Sequence, residues 1–147
     1  MKNLIALLVL VLLTACNSQK KYSDFDYSFS RSGGFAPIYE NLWIKGNNGH
    51  YSFEGEGKKF TKDFTVSNED LKNIENALTT NNFRMIREDL KKVYDYRSTS
   101  INVKKGPNSG SKSDASFIME NDKPRWENVV KSFQQIIDSK VNSVTTK

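Results

Sequence analysis

One cysteine and one histidine occur in 147 residues, and that scarcity closes most common catalytic routes. A serine or cysteine nucleophile needs a base beside it, most often histidine. His50 follows the turn-forming run Asn47-Asn48-Gly49, where a surface position is expected, and Cys16 lies far from it at the end of an apolar stretch. Zinc requires three or four clustered ligands, and no such spacing occurs. Glu120, Asn121 and Asp122 are too sparse for the oxygen cage that calcium takes. No metal and no cofactor is therefore expected. Paired carboxylates remain: Glu54 with Glu56, and Glu88 with Asp89. Such a pair can hydrolyse a glycoside if one carboxyl is held protonated and the other ionised. Both pairs sit among glycines or lysines, a context that suits solvated surface charge. Gly33-Gly34 lacks the glycine spacing and the Lys-Ser/Thr ending of a phosphate loop and reads as a strand-breaking turn.

Binding chemistry has one local signal. Between Tyr39 and Lys45, Leu42 and Ile44 fall on one face of an extended segment while Tyr39 and Trp43 fall on the other. Large apolar groups on both faces mean that something covers the second face or that it is exposed, and exposed aromatic patches mark partner or ligand surfaces. Tyr39 and Trp43 are therefore the candidate binding surface. The competing reading places Trp43 in the core and Leu42 under the first loop.

The elements that must carry these residues follow from periodicity. Phe25, Tyr27 and Phe29 alternate with Asp26, Ser28 and Ser30, the period-two pattern of a strand with one buried face. Tyr39 to Lys45 gives a second strand, and the Asn-Gly of Asn47-Asn48-Gly49 predicts a hairpin turn returning through His50 to Glu54. Gly55-Glu56-Gly57 turns the chain again into a fourth strand, with Phe60, Phe64 and Val66 on one face. Ser67 reads as the N-cap of a helix over 68–80, with acidic residues in its first turn and Leu71, Ile74 and Leu78 on one side. Ile101 and Val103 mark a fifth strand. A mobile loop from Lys105 to Ser113 is expected to lead to a sixth strand at Ala115 to Glu120. Pro124 suits the first turn of a last helix over 124–143, whose apolar stripe runs Trp126, Val129, Val130, Phe133, Ile136, Ile137, Val141. Clean alternation favours antiparallel pairing with one covered face. The expected class is α+β: an antiparallel meander of about six strands with both helices packed on one face.

The beginning of the chain is of a different kind. Lys2 precedes ten unbroken apolar residues from Leu4 to Leu13, followed by Thr14 and Ala15, which is the layout of a secretory signal. Its ending, Leu13-Thr14-Ala15-Cys16, resembles the lipobox of bacterial lipoproteins, a resemblance confined to the first sixteen residues. It implies cleavage between Ala15 and Cys16, a diacylglyceryl group on the Cys16 thiol and acylation of the freed amine. It also implies outer-membrane placement where the host has two membranes, because Asn17 stands where aspartate retains such proteins at the inner one. Two or three acyl chains hold durably where one binds only marginally, at ~0.8 kcal/mol per buried methylene. A cysteine with no intramolecular partner fits this use in an exported chain. The organisation expected is a leader over 1–15, the lipidated cysteine and a polar tether over 16–24, and one domain over 25–147. From Asn17 to Asp24 the tether reaches at most ~28 Å at ~3.5 Å per residue.

Outside the leader, 21 Lys and Arg face 17 Asp and Glu, spread along the chain and not gathered around stacked aromatics, so nucleic acid is not an expected partner. Lys20 and Lys21 stand close enough to Cys16 to meet anionic headgroups, each contributing about 1 kcal/mol. The membrane, through the lipid anchor, is the expected partner, with another envelope protein as a second. The function expected is a non-enzymatic binding or envelope role. The alternatives are a small envelope hydrolase working through Asp or Glu, and a protein inhibitor or assembly partner offering an edge strand or the Lys105 to Ser113 loop.

Overall fold

A computed structural model of the chain describes residues 23–91 and 96–142. Six strands, β1 (Tyr27–Gly33), β2 (Ile38–Lys45), β3 (Asn48–Gly55), β4 (Lys58–Thr65), β5 (Arg97–Val103) and β6 (Gly110–Ser113), form one sheet. Their order is β4-β3-β2-β1-β5-β6, and every pairing is antiparallel. The helices are α1 (Asn68–Thr80) and α2 (Lys123–Lys140). The α+β class, six-stranded antiparallel sheet and two helices agree with the sequence reading.

Register decides what each face carries. Phe29 stands opposite Leu42 and Ile101, and Tyr27 opposite Ile44 and Val103, so these side chains share one face. All are buried in one cluster with Ile74 and Leu78 of α1 and with Val129, Phe133, Ile136 and Ile137 of α2. Phe29 and Phe133 stack with ring centroids 5.8 Å apart. Both helices therefore pack on this face. The Ser67 hydroxyl accepts from the Asp70 amide at 3.0 Å while the Asp70 carboxylate accepts from the Ser67 amide at 3.0 Å, a reciprocal cap that satisfies two otherwise orphaned donors.

Three local expectations are corrected. The first hairpin turn is Gly46-Asn47, since Lys45 pairs with Asn48, and not Asn48-Gly49. Asn47 is held by its side chain, which donates to the Val66 carbonyl at 2.9 Å and to Asn68 at 2.8 Å. Gly49 is instead a strand residue beneath Phe64, whose ring would lie 2.6 Å from an added Cβ. The next turn, Glu56-Gly57, has positive φ at both central residues (52° and 73°), as a type I′ hairpin requires.

The sixth strand is Gly110–Ser113 and not Ala115 to Glu120. It contains no apolar residue because it is an edge strand defined by backbone pairing with β5. The Ala115 to Glu120 segment cannot extend, because Phe117 adopts a positive φ of 63°. It makes only one bridge, Glu88 to Ile118. The loop read as mobile is thus partly strand, and the rest is tied down: Asn108 is buried and donates to Thr79 at 2.9 Å and to Glu75 at 3.3 Å on α1.

Candidate functional site

The sequence candidates lie apart. Tyr39 and Trp43 are on the sheet face opposite the helices, as their parity implies. Tyr39 is 55% exposed; Trp43 is half-buried and lies 5.7 Å from the His50 ring. Leu42 is fully buried under the helices and not under the first loop. The same face carries hydroxyls and amides in cross-strand pairs, Asn41 with Ser52 at 3.5 Å beside the two aromatics and Ser100 with Ser113 at 2.9 Å on β5 and β6. His50 pairs with Asp63 across β3 and β4. Cys16, with the rest of the lipobox at Leu13, Thr14 and Ala15, lies outside the described residues.

Three of the four carboxylate candidates are engaged, and the fourth, Glu56, is exposed in the turn after β3. Glu54 pairs with Lys59 at 2.7 Å. Glu88 accepts from the Ser113 amide at 2.7 Å, and Asp89 pairs with Lys91 at 3.0 Å. Asp122, considered above for calcium, is 2% exposed and faces two cations, Arg125 and Arg87. Hydrogen bonds from Arg125 first and Arg87 second draw its carboxyl down to about 2. Among the described residues no group of three His, Cys, Asp or Glu is placed to hold a metal ion, and no helix is long and apolar enough to cross a membrane.

What the sequence did not reveal is a cavity of about 440 Å³ between the N-terminal half of α2 and the segment leaving β6. Its construction begins with Asp114. The Asp114 carboxylate accepts from the Thr99 amide at 2.6 Å with one oxygen and from Trp126 Nε1 at 3.0 Å with the other, which fixes the indole on the cavity wall. The Phe117 amide donates to the Asp114 carbonyl at 2.9 Å, closing a tight turn that holds Phe117 in the left-handed region. That conformation is uncommon for a bulky side chain. The ring is consequently 40% exposed at the cavity and meets Tyr96 edge-on at 5.4 Å. Ile118, next along, is pinned by the Glu88 bridge, and the Asp122 carboxylate ties Arg87 to the start of α2. Burial, then the Asp114 charge, raises the Tyr96 phenol above its ordinary value, with Lys123 opposing.

Trp126 was visible only as part of the α2 stripe, and Phe117 only as part of a supposed strand. The wall residues come from β1, the approach to β5, the 114–118 turn and α2, so no linear spacing joins them. The turn gave no signal either, because it is closed by the Asp114 backbone carbonyl, which any residue supplies, while the side chain is used on Thr99 and Trp126.

The opposite end of the sheet is where the chain enters. Asp26 accepts from the Gly46 amide at 2.8 Å and from Lys45 at 3.3 Å. Burial works against the Asp26 charge, but the Gly46 amide and Lys45 outweigh it and hold the carboxyl below its ordinary value. Lys104 donates to the Ser23 carbonyl at 2.6 Å and covers the Phe25 ring. No known family's sequence profile matches the chain, and no curated protein gives a significant sequence match.

Proposed function

We propose that the protein is a lipoprotein held in a bacterial envelope membrane through Cys16, with a single domain that binds a target without transforming it. The observation that carries this reading is the tetrad Leu13-Thr14-Ala15-Cys16 at the end of an apolar leader, in a chain with no second cysteine. Two structural facts support the binding role. Three of the four carboxylates considered for hydrolysis are committed to Lys59, Lys91 and the Ser113 amide while Glu56 is exposed in a turn, and a mainly apolar cavity opens beside α2. Strand addition is the weaker mode of partner capture: β6 is only four residues long and β4 carries Lys58, Lys59 and Lys62, both of which blunt sheet edges.

The geometry also bears on presentation. The tether reaches the sheet at the Tyr27 end of β1, whereas Arg31 and Tyr96 of the cavity wall lie toward the Gly33 end, where Gly33 pairs with Arg97. An anchored domain would hold the cavity on the side away from its point of attachment. Replacing Cys16→Ser is expected to leave an unprocessed precursor that takes up no fatty-acid label. Continued labelling of that variant, or a native N-terminus without lipid, overturns the anchoring. Crosslinking the anchored protein in its own envelope is the direct route to the target.

A further inference from the structure

We propose that the cavity beside α2 is a ligand site for a small amphiphile with a flat apolar body and one negative charge. The inference rests on reading the domain as a binding module and adds the place and the chemistry of the ligand. Size is the first argument, since about 440 Å³ falls within the roughly 300–1,000 Å³ of small-molecule sites.

The wall gives the second argument. Tyr96, Phe117 and Trp126 present three rings, with Ile118 and Val130 between them, and such a surface takes a planar or aliphatic body. These rings are positioned with care: the Asp114 carboxylate fixes the indole through Nε1, and Phe117 is held at φ 63°. A backbone conformation that costs on the order of 1–3 kcal/mol survives only where its surroundings impose it, and such residues cluster at ligand sites. Here the imposed conformation has a visible result, because it leaves the ring at the mouth of the cavity instead of in the core.

Charge gives the third argument. Three cations, Arg31, Lys123 and Lys131, face two carboxylates, Asp114 and Glu127. Both Asp114 oxygens are occupied by the Thr99 amide and the Trp126 indole. Arg31 is 3.6 Å from Glu40 and Lys123 is 2.6 Å from Glu120, whereas Lys131 makes no ion pair among the described residues. Glu127 lines the same cavity one turn before Lys131 on α2, so an acidic head meets the Lys131 ammonium in competition with that carboxylate, and the charge preference is small.

The test uses the mature full-length protein in non-ionic micelles, titrated with 3-phenylpropionate and, separately, with its uncharged counterpart 3-phenyl-1-propanol. The protein has two tryptophans, whose indole N–H resonances report independently; Trp43, on the opposite sheet face, is the internal control. Saturable movement of the Trp126 resonance alone is expected, with the alcohol binding roughly threefold more weakly, as suits one exposed ion pair. Lys131→Glu should remove that preference and leave alcohol binding unchanged. Val130→Trp fills the cavity and should abolish both responses. Phe117→Gly, which suits the left-handed backbone, should keep the fold and weaken both ligands. Movement of both indoles together, an unsaturable response, or full binding by Val130→Trp overturns the site; equal binding of acid and alcohol overturns the charge assignment. None of these outcomes depends on Cys16, whose lipidation is read separately from the N-terminal mass.

Discussion

The same strands build two unlike faces. On one, Phe29, Leu42, Ile44 and Ile101 are fully buried against the two helices; on the other, which carries Trp43 and Tyr39, Ser30, Asn41, Ser52 and Ser100 are half-buried. Dispersion and removal of apolar surface from water act on the first face, while the second exchanges hydrogen bonds with water for hydrogen bonds between neighbours, at little net gain. Stability should therefore reside almost wholly on the helical side. The polar face is then free to vary without threatening the fold, and the cavity, at the margin of the helical side, draws its rigidity from the core behind it.

The sharpest way to break that comparison is a matched pair of truncations. Phe133→Ala removes a fully buried ring stacked on Phe29 and should cost about 3–5 kcal/mol, the usual range for a large aromatic lost from a core. Ser30→Ala, at the centre of the other face, should stay within about 0.5 kcal/mol of the parent. Urea unfolding of both reads the difference, and comparable losses would mean that the polar face carries the fold after all.

A second prediction concerns the clamp beside the cavity. The Asp122 carboxyl is drawn down to about 2 by Arg125 and Arg87, against about 3.9 in an unfolded chain. Below that unfolded value the unfolded state binds more protons, so stability falls as pH falls. The contribution of this group is complete above about pH 4 and lost toward pH 2. Asp122→Asn should be less stable than the parent at pH 6, with the two unfolding curves converging as pH drops toward 2. A constant gap across that window would show that the carboxyl is not depressed. Asp26 and Asp70 shift in the same direction, so some acid sensitivity should persist in the variant.

Legibility in the sequence follows the same division of forces. Where burial writes a period, as in Tyr27 and Phe29 on β1 or Trp126 to Ile137 on α2, residue order alone gave element, face and partner. Where pairing is by backbone only, as in Gly110–Ser113, nothing in the side chains announces a strand, and the more apolar Ala115 to Glu120 attracted the assignment. The first hairpin was misplaced by two residues for a related reason: Asn48-Gly49 carries a strong turn signal, but Gly46 supplies a positive φ of 53°, and Phe64 needs Gly49 beneath it. The cavity was illegible because its walls meet only after the sheet and α2 have packed, and because the group that organises them, Asp114, resembles any surface carboxylate until its two donors are in place.

Helix α1 offers a third, smaller test. Its capping box at Ser67 and Asp70 fastens the end of the helix nearest the tether, and Glu75 within it receives hydrogen bonds from Tyr27 and Asn108. Ser67→Ala should cost about 1 kcal/mol, the usual effect of losing such a cap, several times less than Phe133→Ala. A loss as large as the core truncation would place the stability of the helical side in the helix end and not in the packed stripe.

The smallest effect should be a gain, at the turn between β3 and β4 on the sheet's far edge. Glu56 holds a φ of 52° in a two-residue turn, and an L side chain there meets a steric penalty of about 1–2 kcal/mol that glycine avoids. Glycine also has more freedom to lose on folding, at about 0.5–1 kcal/mol, so the two terms oppose each other. Glu56→Gly is expected to raise stability by under about 1 kcal/mol, read as a small rise in the urea midpoint with an unchanged slope. A decrease would mean that the Glu56 side chain makes a contact worth more than its strain. Because the residue is exposed and pairs with neither helix, the change should leave the Trp126 response to 3-phenylpropionate intact, which separates the edge of the sheet from the cavity at its margin.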